Sequence, residues 1–260
     1  MKINLKKLFV TAVIGVGVFV SQPAHAFMGY WYDYNSDWIQ QDIMRRTFEN
    51  HNRVFGNNTN NNSSSGKSSS SKSTGSSKSK SSSSQTSSKP KPAKKAKITF
   101  KSDGSTRGLD YLVNRYPSKQ RGEARTYLKQ MQDSFPQVAR SVGMPTNDLS
   151  TGMAAVIAGA YMAYNNVSLN DDYMKPMQNQ LKTVLQGVDD FDKMSNSDKK
   201  YIYDQLVIIG MTLTINQYQN QQNPNAKVTA QLRNAGKQVL EGLLGVSASE
   251  VRITASGLSF

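Results

Sequence analysis

Two stretches of this chain are apolar on every side of a helix, and they fix what the rest must build around them. Met153-Ala154-Ala155-Val156-Ile157-Ala158-Gly159-Ala160-Tyr161-Met162-Ala163-Tyr164 and Leu206-Val207-Ile208-Ile209-Gly210-Met211-Thr212-Leu213 contain no charged side chain. A helix without a polar face has to be buried, and neither run reaches the ~20 apolar residues needed to span a bilayer. The predicted fold class is therefore mainly α, a single helical bundle of about six helices around this buried pair. Ala155, Gly159 and Ala163 recur every four residues, a small-residue stripe that lets a neighbouring backbone approach closely.

The covering helices are legible as periodic segments between breakers. Thr106 to Tyr116 ends at Pro117. Ser118 to Val142 sets Ala124, Tyr127, Leu128, Met131, Phe135 and Val138 at three- and four-residue spacing, with a kink expected at Pro136, and ends at Gly143. Thr146 to Asn165 follows Pro145, and a helix capped by Asn170 or Asp171 runs to about Gln186. Another starts at Ser197-Asp198 and runs to about Gln219, and the last opens at Pro224 or Asn225 and ends at Gly245. Lys97-Ile98-Thr99-Phe100-Lys101 alternates like a short strand, and Val251 to Phe260 reads as a terminal one. The two are expected to pair, giving a short two-stranded junction between the ends of the domain.

Upstream of this domain, assigned to 98–260, composition changes sharply. Residues 57–97 are rich in Asn, Ser, Lys and Pro and hold no apolar side chain larger than alanine. Such a segment cannot bury enough surface to offset chain entropy, so it is predicted to be a disordered linker with a root-mean-square span of about 35 Å. Its nine lysines face no acid, whereas 98–260 carries 17 basic and 14 acidic residues. Most of the formal +14 thus lies outside the folded part, which argues against a basic nucleic-acid-binding domain and against specific nucleic-acid recognition. The lysines are expected to make weak, salt-sensitive contact with anionic envelope polymers.

Residues 1–26 read as a secretory signal peptide. Lys2, Lys6 and Lys7 precede an apolar run from Leu8 to Val20, and Ala24-His25-Ala26 offers a cleavage site. The mature chain is expected to begin at Phe27, without a transmembrane span, in the periplasm or at the surface of a Gram-negative bacterium, or secreted from it. The absence of cysteine removes any disulfide framework or lipid attachment through a thiol. Residues 27–56 form an aromatic N-terminal segment with one short predicted helix, too small for a core of its own. Tyr30, Trp31, Tyr32, Tyr34 and Trp38 cluster there. Rings with a polar handle favour interfaces, so these five are the candidate partner-binding residues, with docking onto the chain's own domain as the competing reading.

Chemistry is sparse. His25 and His51 are the only histidines, and both lie outside 98–260. Ser-His-Asp catalysis and zinc sites with His or Cys ligands therefore have no residues to build on in the domain. No glycine pattern for phosphate or dinucleotide binding is present, and no catalytic, metal or cofactor-binding residue is assigned. Asp189-Asp190-Phe191-Asp192, with Asn196 and Asp198, is the one acidic cluster. A calcium loop counted from Asp190 would need Gly at its sixth position and finds Ser195. The preferred reading is a solvated loop whose acids face the positive N-terminus of the next helix. Arg121, Arg125 and Lys129 recur at four-residue spacing and read as a solvated helix face.

Gly143-Met144-Pro145-Thr146-Asn147-Asp148 before Met153 to Tyr164, with Tyr127-Leu128 to Phe135 and Arg115-Tyr116-Pro117 upstream, carries a resemblance. Over about 107–245 the chain resembles an uncharacterised family of secreted bacterial helical proteins of the Acinetobacter type, built around a domain of unknown function. The resemblance implies a signal peptide, an aromatic start, a low-complexity linker and a helical domain, and it implies no activity. Two function classes follow. The favoured one is an exported non-enzymatic interaction protein with an unknown protein partner; the alternative is a carboxylate-only hydrolase acting on envelope glycan.

Overall fold

The computed structural model describes residues 95–260. Among these, seven α-helices run in the order α1 Arg107–Val113, α2 Arg121–Ser141, α3 Leu149–Asn165, α4 Met174–Gln186, α5 Asp190–Lys193, α6 Asn196–Gln222 and α7 Ala226–Leu244. Strands β1 Arg252–Thr254 and β2 Gly257–Ser259 follow, and single 3-10 turns, Ser118–Gln120 and Asp171–Tyr173, lead into α2 and α4. The mainly helical class stands, with one short helix, α5, more than the sequence suggests.

Local chemistry explains most boundaries. Asp148 caps α3, its carboxylate accepting from the backbone N–H (2.9 Å) and hydroxyl (2.6 Å) of Ser150. Ser195 caps α6 reciprocally: its hydroxyl accepts from Asp198 N–H at 3.1 Å and donates to the Asp198 carboxylate at 2.7 Å. Asn225 opens α7, and Gly245, at φ +67°, closes it in the left-handed conformation that glycine adopts without strain. Pro136 does not end α2. Phe135, Val138 and Ala139 beside it are buried, and their packing holds the turn that lost one backbone hydrogen bond.

The predicted central pair is α3 and α6. Eighteen of the 27 residues of α6 are buried, and the two helices touch backbone to backbone. A Cβ built on Gly159 would fall on the carbonyl oxygen of Gly210, and one on Gly210 would sit 2.5 Å from Ala155 O and 2.7 Å from Val156 N. The stripe on α3 is therefore met by a glycine on α6. On its other side α3 receives α7, where a Cβ on Gly236 would fall on Ala160 O and 2.7 Å from Tyr164 N. α1 and α2 cover α6, and α4 flanks α3.

The ends of the domain do not pair with each other. Residues 251–260 fold back on themselves: Arg252, Ile253 and Thr254 pair antiparallel with Ser259, Leu258 and Gly257, around a turn in which Gly257 takes φ +103°. Gln180 of α4 holds this hairpin with both ends of its amide, donating to Leu258 O and accepting from Leu258 N–H, each at 2.8 Å. The side chain completes the outer edge of β2, which leaves the upstream segment to bond elsewhere. Residues 96–100 instead lie as a strap across the ends of α3 and α4. Ala96, Ile98 and Phe100 are buried while Lys97 and Thr99 are exposed. Ala96 N–H donates to Gln186 O (2.9 Å), Phe100 N–H to Asn147 O (3.1 Å) and Leu149 N–H to Ile98 O (3.2 Å), with Thr99 bridging Asp148.

Candidate functional site

The acidic cluster is built into the fold as the anchor of the strap. Asp192 accepts the Lys97 backbone N–H at 2.7 Å, and Asn196 accepts that of Lys101 at 3.2 Å. Phe191, just before Asp192, is fully buried, and 190–193 forms the short helix α5 in place of an open loop. Asp190 pairs with Lys193 at 3.2 Å. Asp198 takes the Ser195 hydroxyl and, at 3.1 Å, the Arg107 guanidinium. Those two contacts, the hydroxyl foremost, hold its carboxyl below the usual carboxylate range. Among the described residues no group of three or more His, Cys, Asp or Glu is placed to hold a metal ion.

The basic stripe is likewise engaged residue by residue. Arg121 donates through Nε to Tyr116 O at 3.0 Å, Arg125 pairs with Asp110, and Lys129 pairs with Asp133 at 2.6 Å. These three side chains tie α2 to α1 and to itself; they do not converge on a common point.

What the sequence reading missed lies under α1. Lys200 and Asp204, one turn apart on α6, form a buried ion pair, with side-chain exposures of 11% and 4%. Gly108 of α1 passes directly above, where a Cβ would lie 2.7 Å from Asp204 Cβ and 2.8 Å from Tyr201 O. Burial raises the proton affinity of the Asp204 carboxyl, against the hydrogen bonds from Lys200 and Gln132. Nearby Asp103 moves the other way, held low first by the Ser105 backbone N–H. Two carboxyls pushed apart in this way are the raw material of acid–base work. Here the buried one is closed off by a helix and joined to an ammonium, so the arrangement stores charge and offers no open proton donor. An i,i+4 Lys–Asp pair reads as a solvated face in the sequence, and only a glycine on a distant helix marks its cover.

Further along α6, buried amides stitch the other helix ends. Asn216 donates to Thr212 O (2.8 Å) and Tyr127 Oη (3.2 Å), Gln217 to Asn166 Oδ1 (2.5 Å), and Asn220 to Thr229 Oγ1 (2.8 Å). Burial raises the Tyr127 phenol to about 12, with the Asn216 hydrogen bond opposing, which keeps the phenol neutral as it accepts from Asn216. The sequence-predicted partner-binding residues Tyr30, Trp31, Tyr32, Tyr34 and Trp38 lie outside the described residues.

No helix among the described residues is long and apolar enough to cross a membrane. No curated protein and no solved structure matches the chain. A family model does, and it spans the low-complexity segment as well as the helical domain: over residues 6–260 the chain matches, and so belongs to, the family of unknown function DUF6683.

Proposed function

We propose that this protein is an exported, non-enzymatic interaction protein of the periplasm or cell surface. In this reading the helical domain is a stable platform. The aromatic segment 27–56 engages a protein partner through Tyr30, Trp31, Tyr32, Tyr34 and Trp38, and the lysine-rich linker stays close to anionic envelope polymers. The observation that carries it is the use of the domain's charged groups. The acids and bases that the sequence offered for chemistry serve as helix caps, strap anchors and ion pairs. The carboxyl with raised proton affinity, Asp204, is buried against Lys200, out of reach of a glycan chain, which weakens the hydrolase alternative.

The test is crosslinking in intact cells followed by capture of the mature protein, with wild type beside Trp31→Ala/Trp38→Ala. A crosslinked protein that disappears in the double variant is the expected result. Glycan hydrolysis by the purified protein, abolished by Asp103→Asn or Asp204→Asn, would replace this reading with the hydrolase. Export is checked separately by sequencing the N-terminus of the cellular protein, which should start at Phe27.

A further inference from the structure

The small positive charge of the folded domain is concentrated. Of the 17 basic and 14 acidic residues in 98–260, five basic and two acidic ones fall in 105–126, which leaves 12 of each sign elsewhere. The entire excess therefore lies in the segment made of α1, the connection after it and the first turns of α2, and Asp198 of α6 offsets part of it through Arg107. The same surface sets two guanidinium groups over aromatic rings, and Arg115 also donates to the Tyr111 hydroxyl. Arg107 lies over the Tyr201 ring at 5.1 Å from the centroid and Arg115 over Tyr111 at 4.8 Å. The two rings meet edge to face at 5.9 Å. Arg107 and Arg125 stay about half exposed, at 56% and 47%. Among the described residues Arg121 bonds the carbonyls of Tyr116 and Asn114, neutral partners for its charge, and Lys119 is exposed nearby.

We propose that this face of α1 and α2 docks an acidic polysaccharide through its carboxylate groups, an inference that rests on the envelope-interaction reading and names the polymer. A guanidinium stacked on a ring is weakly hydrated and already ordered, and its planar fork matches a carboxylate with two hydrogen bonds. The carboxylates now facing Arg107 and Arg125 form exposed pairs, which contribute little to stability. Each guanidinium also has five donors, enough to accept a second carboxylate. Nucleic acid fits less well. Each ring already carries a guanidinium on a face and the other ring against it, so neither is an open platform for base stacking. A membrane surface also fits less well, because the exposed large hydrophobics of the described residues are Val167 and Phe260, and neither belongs to α1 or α2. The strap leads to this face: Lys101 is bonded to Asn196, two residues before the Asp198 that holds Arg107.

The experiment measures binding of polygalacturonate to the full mature chain at low salt. It compares wild type, a linker variant with the eight lysines of 67–95 changed to Gln, and Arg107→Ala/Arg115→Ala placed in both backgrounds. The linker variant should still bind, and adding the arginine changes should lower affinity about tenfold further, as expected for lost charge-assisted hydrogen bonds. Arg107→Lys/Arg115→Lys keeps the charge, loses the fork and should fall in between; it decides the matter if the alanine pair loses its helical signal. Equal affinity with and without the two arginines overturns the proposal. So does tighter binding at matched salt to duplex DNA or to anionic phospholipid vesicles. Capture of a protein partner through Trp31 and Trp38 is read in a separate assay, so failure here leaves that result standing, and the reverse.

Discussion

Three helix crossings in this bundle depend on a glycine, and two of them, both made on α6, enclose opposite chemistry. Where α3 meets α6, Gly159 and Gly210 bring backbone against backbone amid apolar side chains, Val156, Ile157, Leu206 and Ile209 among them being buried. Where α1 meets α6, Gly108 brings backbone down over Lys200 and Asp204. The first crossing gains from removing hydrocarbon from water and from dense packing. The second covers an ion pair whose desolvation largely offsets its attraction, so it contributes specificity of docking more than stability. Charge can sit buried on α6, ahead of its apolar run, because a glycine on another helix allows a roof close enough to exclude water.

The largest effect should come from the apolar crossing. Gly159→Leu puts a branched side chain onto a carbonyl and the Thr214 hydroxyl; backbone cannot swing aside as a flexible side chain would. Destabilisation of about 3 kcal/mol or more is expected, at or beyond the top of the usual overpacking range, measured by denaturant unfolding. Gly236→Leu should behave similarly at the α3–α7 contact. A melting temperature unchanged in both would show that these faces are not packed as described.

The ion-pair crossing should respond next, with a pH signature the apolar one lacks. Lys200→Met leaves Asp204 buried and charged without its partner, which should cost about 2–3 kcal/mol at pH 7. The Asp204 carboxyl has its proton affinity raised in the folded state. For such an acid the folded state binds the proton more tightly than the unfolded chain does, so relative stability is highest when it is protonated and falls as pH rises through its folded pKa. The penalty of Lys200→Met should therefore shrink on acidification toward pH 4, while that of Gly159→Leu stays the same. Lys200→Met/Asp204→Leu should recover most of the loss. A penalty independent of pH would mean that Asp204 is solvated in the variant.

Gln180→Ala separates a third kind of contact from both. Its amide makes two bonds to the Leu258 backbone, each contributing about 0.5–1.5 kcal/mol. A loss of about 1 kcal/mol is expected, with hydrogen exchange rising in 252–259 and not in α3 or α6. Uniform loss of protection would show that the hairpin is part of the cooperative core.

How far the sequence reached follows the range of the interactions. Helix ends set by a cap within a few residues were legible, as Asn225 and Gly245 show for α7. So was burial of the two central helices, because lack of a polar face does not depend on what does the covering. The partner of the stripe was not: Ala155, Gly159 and Ala163 announce a close approach, but nothing local says that Gly210 on one side and Gly236 near Ala160 supply it. The terminal strand shows the same limit. Alternation marks extended chain and carries no information about its pairing, and Gln180, 78 residues away, decided it. At the candidate site the acids were visible as a cluster, yet their task depended on where a distant strap would lie. The aromatic residues fall outside the described part of the chain.

The smallest effect separates linker from strap. Trypsin meets lysines at 67, 72, 78, 80, 89, 91, 94 and 95, then Lys97 and Lys101. Those up to Lys95 precede Ala96, the first buried residue among the described ones. Lys97 and Lys101 lie in backbone held by Asp192 and Asn196, with Ile98 and Phe100 buried between them. A protease must draw several residues of extended chain into its site, and at Lys97 that means lifting Ile98 out of the core. Limited digestion of the mature protein should therefore leave a resistant fragment that begins a few residues before or at Ala96, whose own N–H is bonded to Gln186 O, with the helical circular dichroism and midpoint of the uncut domain. Cutting at Lys101 would remove the strap, expose the apolar residues beneath it and lower the midpoint. A resistant fragment beginning at Ser102 with undiminished stability would show that 96–100 is only the end of the linker and that the acidic cluster anchors nothing the domain needs.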